Sequence, residues 1–300
     1  VTGAERTIIR ETRLRTADGL TLYAWTCQPA AGQPKGAIAL VHGMGEHSRR
    51  YDHLAGYWAD HGYASAGFDL RGHGRSDGPR GHTPSYDRLM DDIASFLGLV
   101  SETYPDLPLT LYGHSMGGNL VLNYAIRRQP RLAHLVASAP YLRLAFEPPA
   151  WKLLMATCLK GIAPTMSLRT GLDVRALSRD AAVIRRYETD PLVHERITMS
   201  FFAHVHPAGE AIISRASELT TPTLLMHGGA DKLTSLAGSE AFVAASSGKA
   251  SLKIWDGRFH EIHNDPSWEE LAAFVITWLA AGRVSGRPSS PSRLPGLEGC

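Results

Sequence analysis

One segment constrains this chain more than any other: a short apolar run, Leu109 to Tyr112, passes into Gly113-His114-Ser115-Met116-Gly117 and then into a helical pattern from Asn119. A strand that turns this sharply into a helix needs small residues two before and two after the turn, where side chains would collide. Gly113 and Gly117 stand at those positions. The order strand, tight turn, helix is a nucleophile elbow, which lifts the Ser115 hydroxyl above the sheet. The competing reading is a Gly-rich turn with an ordinary helix-capping serine. The placement after an apolar run and before a helix argues for the elbow.

The rest of the chain supplies the sheet that such an elbow requires. Thr7 to Arg13 and Leu20 to Thr26, separated by Ala17-Asp18-Gly19, read as an antiparallel hairpin. Ala37 to Val41, Ala64 to Phe68, Leu109 to Tyr112, Leu135 to Ser138, Thr223 to Met226 and Leu252 to Trp255 read as buried central strands. Helical patterns lie between them over Tyr51 to His61, Pro84 to Tyr104, Asn119 to Arg128, Gly238 to Ala245 and Trp268 to Ala281. This alternation predicts a mostly parallel, eight-stranded α/β sheet with helices on both faces. Residues 1–142 and 216–284 form the core. At 143–215 the alternation lapses into helical segments with several prolines, a helical lid insertion bearing ten Lys and Arg against seven Asp and Glu. Its first helix, after Pro148-Pro149, aligns Trp151, Leu154, Met155, Cys158, Leu159 and Ile162 on one stripe, with Lys152 and Lys160 outside it. Such a stripe can pack on its own protein or lie against lipid. Residues 285–300, rich in Ser, Gly and Pro, read as a disordered tail, and Cys300 at its end is not in a prenylation position.

Composition narrows the function classes. The 300 residues are 44% hydrophobic and 20% charged, as in an ordinary globular protein, and the net charge of +2 gives no reason to expect nucleic acid as a partner. Cys27, Cys158 and Cys300 are too few and too scattered for a disulfide framework and suit a reducing compartment. No apolar run approaches the length of a membrane span, and the charged start VTGAERTIIRETRLR does not resemble a signal peptide, so a cytoplasmic location is expected.

A serine nucleophile needs a base, an acid to orient it and donors for the oxyanion. Met116 N–H, directly after Ser115, is one donor. The other is expected from the loop His42-Gly43-Met44-Gly45 after the third strand, through Met44 N–H. Of the 14 histidines, His260 lies just past the last strand, at the carboxyl edge where α/β sheets place reactive groups. His42 and His227 also end strands, but each precedes Gly and fits a structural turn. Asp231, just beyond the seventh strand, falls between Ser and His in chain order, as this architecture requires. Asp256 is its rival. Arg71-Gly72-His73-Gly74 lacks the rest of a dinucleotide fingerprint, and His260-Glu261-Ile262-His263 lacks metal-helix spacing, so neither a cofactor nor a metal is expected.

With these residues in place, the sequence resembles the monoacylglycerol lipase-like branch of the α/β-hydrolases over nearly its whole length to about Ala281. HGMGEHSRRYDHLA resembles the oxyanion loop and following helix, GHGRSDG the next loop, GHSMGG the elbow, and GGADKLTS and HEIH the acid and base loops. The resemblance implies an α/β-hydrolase fold and a serine esterase that uses Ser115, Asp231 and His260 on a small lipid ester, with monoacylglycerol first. It also implies a polar pocket for a glycerol head at Glu46, Arg50, Tyr187 and His263. Glu46 and Arg50, four residues apart, could equally form a salt bridge that pins the loop. Met44 stands where the family has a smaller residue, which would narrow the pocket beside it. General carboxylesterases, lysophospholipases and thioesterases share this machinery. An aminopeptidase would need lid carboxylates such as Glu147, Glu188 or Glu195 to grip an ammonium group, and a silent receptor would label with no fluorophosphonate. Peripheral membrane contact through the lid is expected, and the oligomeric state is not encoded in any motif.

Overall fold

The computed structural model describes residues 7–148 and 150–284. The expected tail at 285–300 with Cys300, and Pro149 of the expected helix start, lie outside the described residues. The chain opens with the expected hairpin, β1 (Thr7–Arg15) and β2 (Thr21–Pro29), whose turn uses Gly19 at φ +89°. There follow β3 (Ala37–Val41), α1 (Asp52–Asp60), β4 (Ala64–Phe68), α2 (Tyr86–Thr103), β5 (Leu109–His114), α3 (Met116–Arg128) and β6 (His134–Ser138). The insertion then holds α4 (Ala150–Leu159), β7 (Ser167–Arg169), α5 (Ala181–Thr189), β8 (Arg196–Thr198) and α6 (Met199–Ser214). The core resumes with β9 (Thr223–Gly228), α7 (Leu236–Ala245), β10 (Ala250–Trp255) and α8 (Trp268–Val284).

Eight strands make one sheet in the order β1-β2-β4-β3-β5-β6-β9-β10. β1 and β2 are antiparallel to their neighbours, and every pairing from β4 to β10 is parallel. Strand alternation sorts the core into two layers. In β3, Ala37, Ala39 and Val41 face the layer containing α2, α3 and α6, whereas Ile38 and Leu40 face α1 and α8. The central strands β3, β4, β5, β6 and β9 are thus buried on both faces, which is why their sequences read as largely apolar runs. Parallel registry also aligns the carboxyl ends: Val41 pairs with Gly113, His114 with Ser138, and Gly228 with Trp255. The loops that leave those ends converge on one rim.

The insertion differs from expectation in two ways. Its short antiparallel pair, β7 with β8, went unread because three-residue strands with mostly exposed side chains carry no apolar alternation. The apolar stripe of α4 is also not fully packed. The helix ends at Leu159, so Ile162 lies in the following turn and is 83% exposed, while Leu154 is 66% exposed. α4 packs against α6. α6 itself is anchored: Phe201, Val205 and Ile212 enter the core, and Gly209 lies against the Leu142 backbone so closely that a Cβ would collide with it.

Candidate active site

Ser115 sits between β5 and α3 with φ 54° and ψ −116°, a left-handed conformation costly for a residue with a side chain. Hydrogen bonds hold it there: its N–H donates to the Ser138 carbonyl at 2.9 Å, and its own carbonyl accepts from Tyr141 N–H at 2.8 Å and Asn119 N–H at 3.0 Å. A Cβ on Gly113 would run into the Gly117 carbonyl, and one on Gly117 into the Val41 carbonyl. The elbow therefore requires both glycines, and Gly43, across from it, lies against the Ser115 Cβ and Glu46. As the first residue of α3, Met116 presents one of the N–H groups that a helix start leaves without an intrahelical acceptor.

The acid and base loops are tied to each other by backbone. Gly229 N–H donates to the Trp255 carbonyl at 2.8 Å and Ala230 N–H to the Arg258 carbonyl at 3.0 Å. The structure brings Ser115, His260 and Asp231 together: Ser115 Oγ lies 2.9 Å from His260 Nε2, and His260 Nδ1 lies 2.8 Å from Asp231 Oδ2. Asp256 is exposed in the turn before the base. Asp231 Oδ1 accepts from Leu233 N–H at 2.8 Å and Thr234 N–H at 3.1 Å, while the Thr234 hydroxyl lies 2.9 Å from Oδ2. Burial by itself would raise the Asp231 carboxyl, but the charge of His260 and hydrogen bonds from His227 and His260 hold it well below the usual carboxylate range. Burial favours neutral His260, yet the Asp231 carboxylate outweighs it and moves the imidazole upward. His114, packed against His260 with ring centroids 4.8 Å apart, is pushed down to about 4, first by burial and then by His260. Such a chain can draw a proton from the Ser115 hydroxyl while keeping the imidazole oriented.

Ser115 and His260 open into a cavity of about 530 Å³ walled by Tyr141, Leu144, Phe146, Leu168, Leu172, Leu177, Ile197, Met199, Phe202 and Leu233, with Lys232 also in the wall. Its walls are mainly apolar and come largely from the insertion. Met44 lines it beside Gly43, with its sulfur 3.4 Å from His73 Nε2.

The residues expected around a polar head divide. Glu46 and Tyr187 line the cavity; Arg50 and His263 are not among its lining residues. Arg50 is drawn away because it donates to Glu46 Oε2 at 2.6 Å and, through two nitrogens, to Glu261 at 2.6 and 2.7 Å, beneath the Tyr187 ring at 4.8 Å. It joins the oxyanion loop, the base loop and the lid. The salt-bridge alternative thus describes Arg50. Glu46 is also saturated from within, since Oε1 accepts from Gly43 N–H at 2.7 Å and the Tyr51 hydroxyl at 2.8 Å. Burial would raise its carboxyl, but Arg50 lowers it to about 2. His263 is fully buried, stacked on Tyr51 at 4.5 Å and edge-on to His114 at 4.5 Å.

Sequence reasoning missed Glu261, Thr234 and the contact of His227 with Asp231. An acidic residue directly after the base was a usable signal for Glu261, because a buried Arg50 flanked by one carboxylate invites a second. Nothing in the sequence marks Thr234. The lid is also joined to the site: His260 and Glu261 N–H donate to the Ala176 and Leu177 carbonyls at 3.3 and 2.7 Å, His194 N–H to Gly45 at 2.8 Å, and His47 pairs with Asp190 at 2.9 Å. Glu147, Glu188 and Glu195 are not among the lining residues of the cavity.

Comparison with known proteins gives a family model, described as serine aminopeptidase S33, that matches residues 32–267. An uncharacterized abhydrolase domain-containing protein of Dictyostelium discoideum is 33% identical over 282 residues, 93% of this chain but 30% of that protein. The monoacylglycerol lipase of Mycolicibacterium smegmatis is 32% identical over 250 residues, 83% of this chain and 89% of that one. Among solved structures, a Paleococcus ferrophilus monoacylglycerol lipase is similar with TM-score 0.79 and 35% identity, covering 87% of this chain and 99% of that one.

Proposed function

Since the chain belongs to the α/β-hydrolase family whose model is described as serine aminopeptidase S33, we propose that it is a monoacylglycerol lipase, a serine ester hydrolase that releases a fatty acid and glycerol. The observation that carries this reading is the line from Ser115 through His260 to Asp231 opening into an apolar cavity. Ser115 Oγ attacks the ester carbonyl as His260 Nε2 takes its proton. Asp231 accepts from Nδ1–H and stabilises the imidazolium, and the N–H groups of Met44 and Met116 receive the oxyanion. His260 then protonates the leaving glycerol oxygen, and a water deprotonated by the same nitrogen cleaves the acyl-enzyme. No cofactor enters the scheme.

The acyl chain occupies the apolar walls, and the glycerol head meets Tyr187 and the Glu46 edge of the cavity. Arg50 and His263 act from behind these residues, Arg50 by fixing the loop and His263 by packing against Tyr51 and His114. A polyol offers both donor and acceptor to the Tyr187 hydroxyl, while Glu46, already paired, shapes the wall beside it. An aminopeptidase needs an unpaired anion near Ser115; of the carboxylates lining the cavity, Glu46 and Glu261 are paired with Arg50, and Asp173 accepts from Arg175 N–H at 3.0 Å.

Phe146 lines the cavity and is exposed, and Trp151, Leu154, Ile162 and Met166 extend exposed apolar surface over the lid. We assign this surface to peripheral contact with lipid. Among the described residues no helix is long and apolar enough to cross a membrane. Free Cys27 and Cys158 support a reducing, cytoplasmic location, which cell fractionation tests. The function is tested by hydrolysis of medium- to long-chain monoacylglycerols beside matched p-nitrophenyl esters and lysophosphatidylcholine, with Ser115→Ala as the blank. Highest kcat/KM on the monoacylglycerols is expected; activity confined to short activated esters would reduce the enzyme to a general esterase.

A further inference from the structure

Asp231 has a neighbour that the scheme above does not use. His227, near the end of β9, is fully buried, and its Nε2 lies 3.3 Å from Asp231 Oδ2 and 3.2 Å from the Thr234 carbonyl oxygen. Carboxylate and carbonyl oxygens only accept, so Nε2 must carry a proton and share it between them. Nδ1 then accepts from the hydroxyl of Ser239 in α7, 2.9 Å away and also fully buried. A continuous polar line therefore runs from Ser115 through His260, Asp231 and His227 to Ser239.

We propose that His227 is a positioning residue for the acid, and that Ser239 fixes its tautomer. Oδ1 of Asp231 is already held by two backbone N–H groups of its own loop. Those bonds alone leave Oδ2 free to swing about them. Donors to Oδ2 from His227 on one side and Thr234 on the other stop that motion and leave the remaining direction to His260. They also share the charge that Oδ2 presents to the imidazole. The groups facing the pair are His227 and Thr234 around Asp231, and His114, His263, Glu261 and Glu46 around His260. The inference rests on the roles proposed for Ser115, His260 and Asp231. Those roles are tested separately, by loss of wild-type turnover in Ser115→Ala, His260→Ala and Asp231→Asn.

The test compares His227→Gln with His227→Asn. A Gln amide can offer N–H from close to the position of imidazole Nε2, whereas the Asn amide is too short to reach Asp231. Gln should retain most of kcat, and Asn should lower kcat about tenfold with little change in KM. In the Asn variant the undampened carboxylate raises the imidazole, so the acid limb of kcat/KM against pH should move upward, which a loss of folded protein alone would not produce. Should Asn prevent folding, Ser239→Ala replaces it, with the same upward movement expected. Equal kcat for Gln and Asn, or an acid limb that does not move in Asn or Ser239→Ala, overturns the assignment.

Discussion

At a pH where His260 is protonated, its Nε2 cannot take the Ser115 proton, so turnover requires the neutral imidazole. Because Asp231 outweighs burial and lifts His260 above its usual 6.5, kcat/KM for a neutral ester should be lost as pH falls through an acid limb lying above 6.5. A pH-rate profile still flat well below that value would remove His260 as the base. Asp231→Asn keeps the shape of the acid but offers its N–H or a weaker acceptor to Nδ1, and turnover should fall by roughly 10³ to 10⁴ with the fold intact. Steady-state kinetics beside circular dichroism checks this, and retained activity would move the acid to Asp256. Ser115, Asp231 and His260 were legible from motif, chain order and strand ends. Arg50 and His263 were legible as neighbours of the site and not as its wall, because whether a side chain turns toward the cavity depends on partners such as Glu261 that lie far away in sequence.

The elements show how far local pattern reaches. Strand alternation and turn residues located all eight strands of the large sheet, with ends that moved by a few residues; the boundaries are least legible because the last ladder pairs depend on a neighbour's length. A glycine of the elbow and one of α2 give predictions of opposite sign. Gly117→Ala would force a Cβ against the Val41 and His42 carbonyl oxygens, and it should lower stability by about 1–3 kcal/mol, read as an earlier urea midpoint. Gly98→Ala, in the exposed face of α2 with open space at its Cβ, should raise stability by up to about 1 kcal/mol. Equal shifts for the two would mean that the close approach at Gly117 is not what selects glycine there.

On the scale of the whole molecule, the insertion is both wall and surface. It supplies much of the apolar lining, receives the His260 and Glu261 N–H groups, and turns Leu154 and Ile162 to solvent. If that surface meets lipid, Leu154→Ser with Ile162→Ser should weaken co-sedimentation with lipid vesicles by about tenfold or more. Hydrolysis of a soluble short ester should stay unchanged. Unaltered co-sedimentation would remove the lid from membrane contact. Periodicity and the steric demand for glycine around Ser115 were enough to specify the sheet, the elbow and the chain order in which Ser115, Asp231 and His260 come together. Which way the insertion's apolar residues face, that Arg50 bridges two carboxylates behind the cavity, and that His227 reaches Asp231 emerge with the folded chain alone. Those outcomes rest on contacts between segments distant in sequence, whose distances and directions no local pattern encodes.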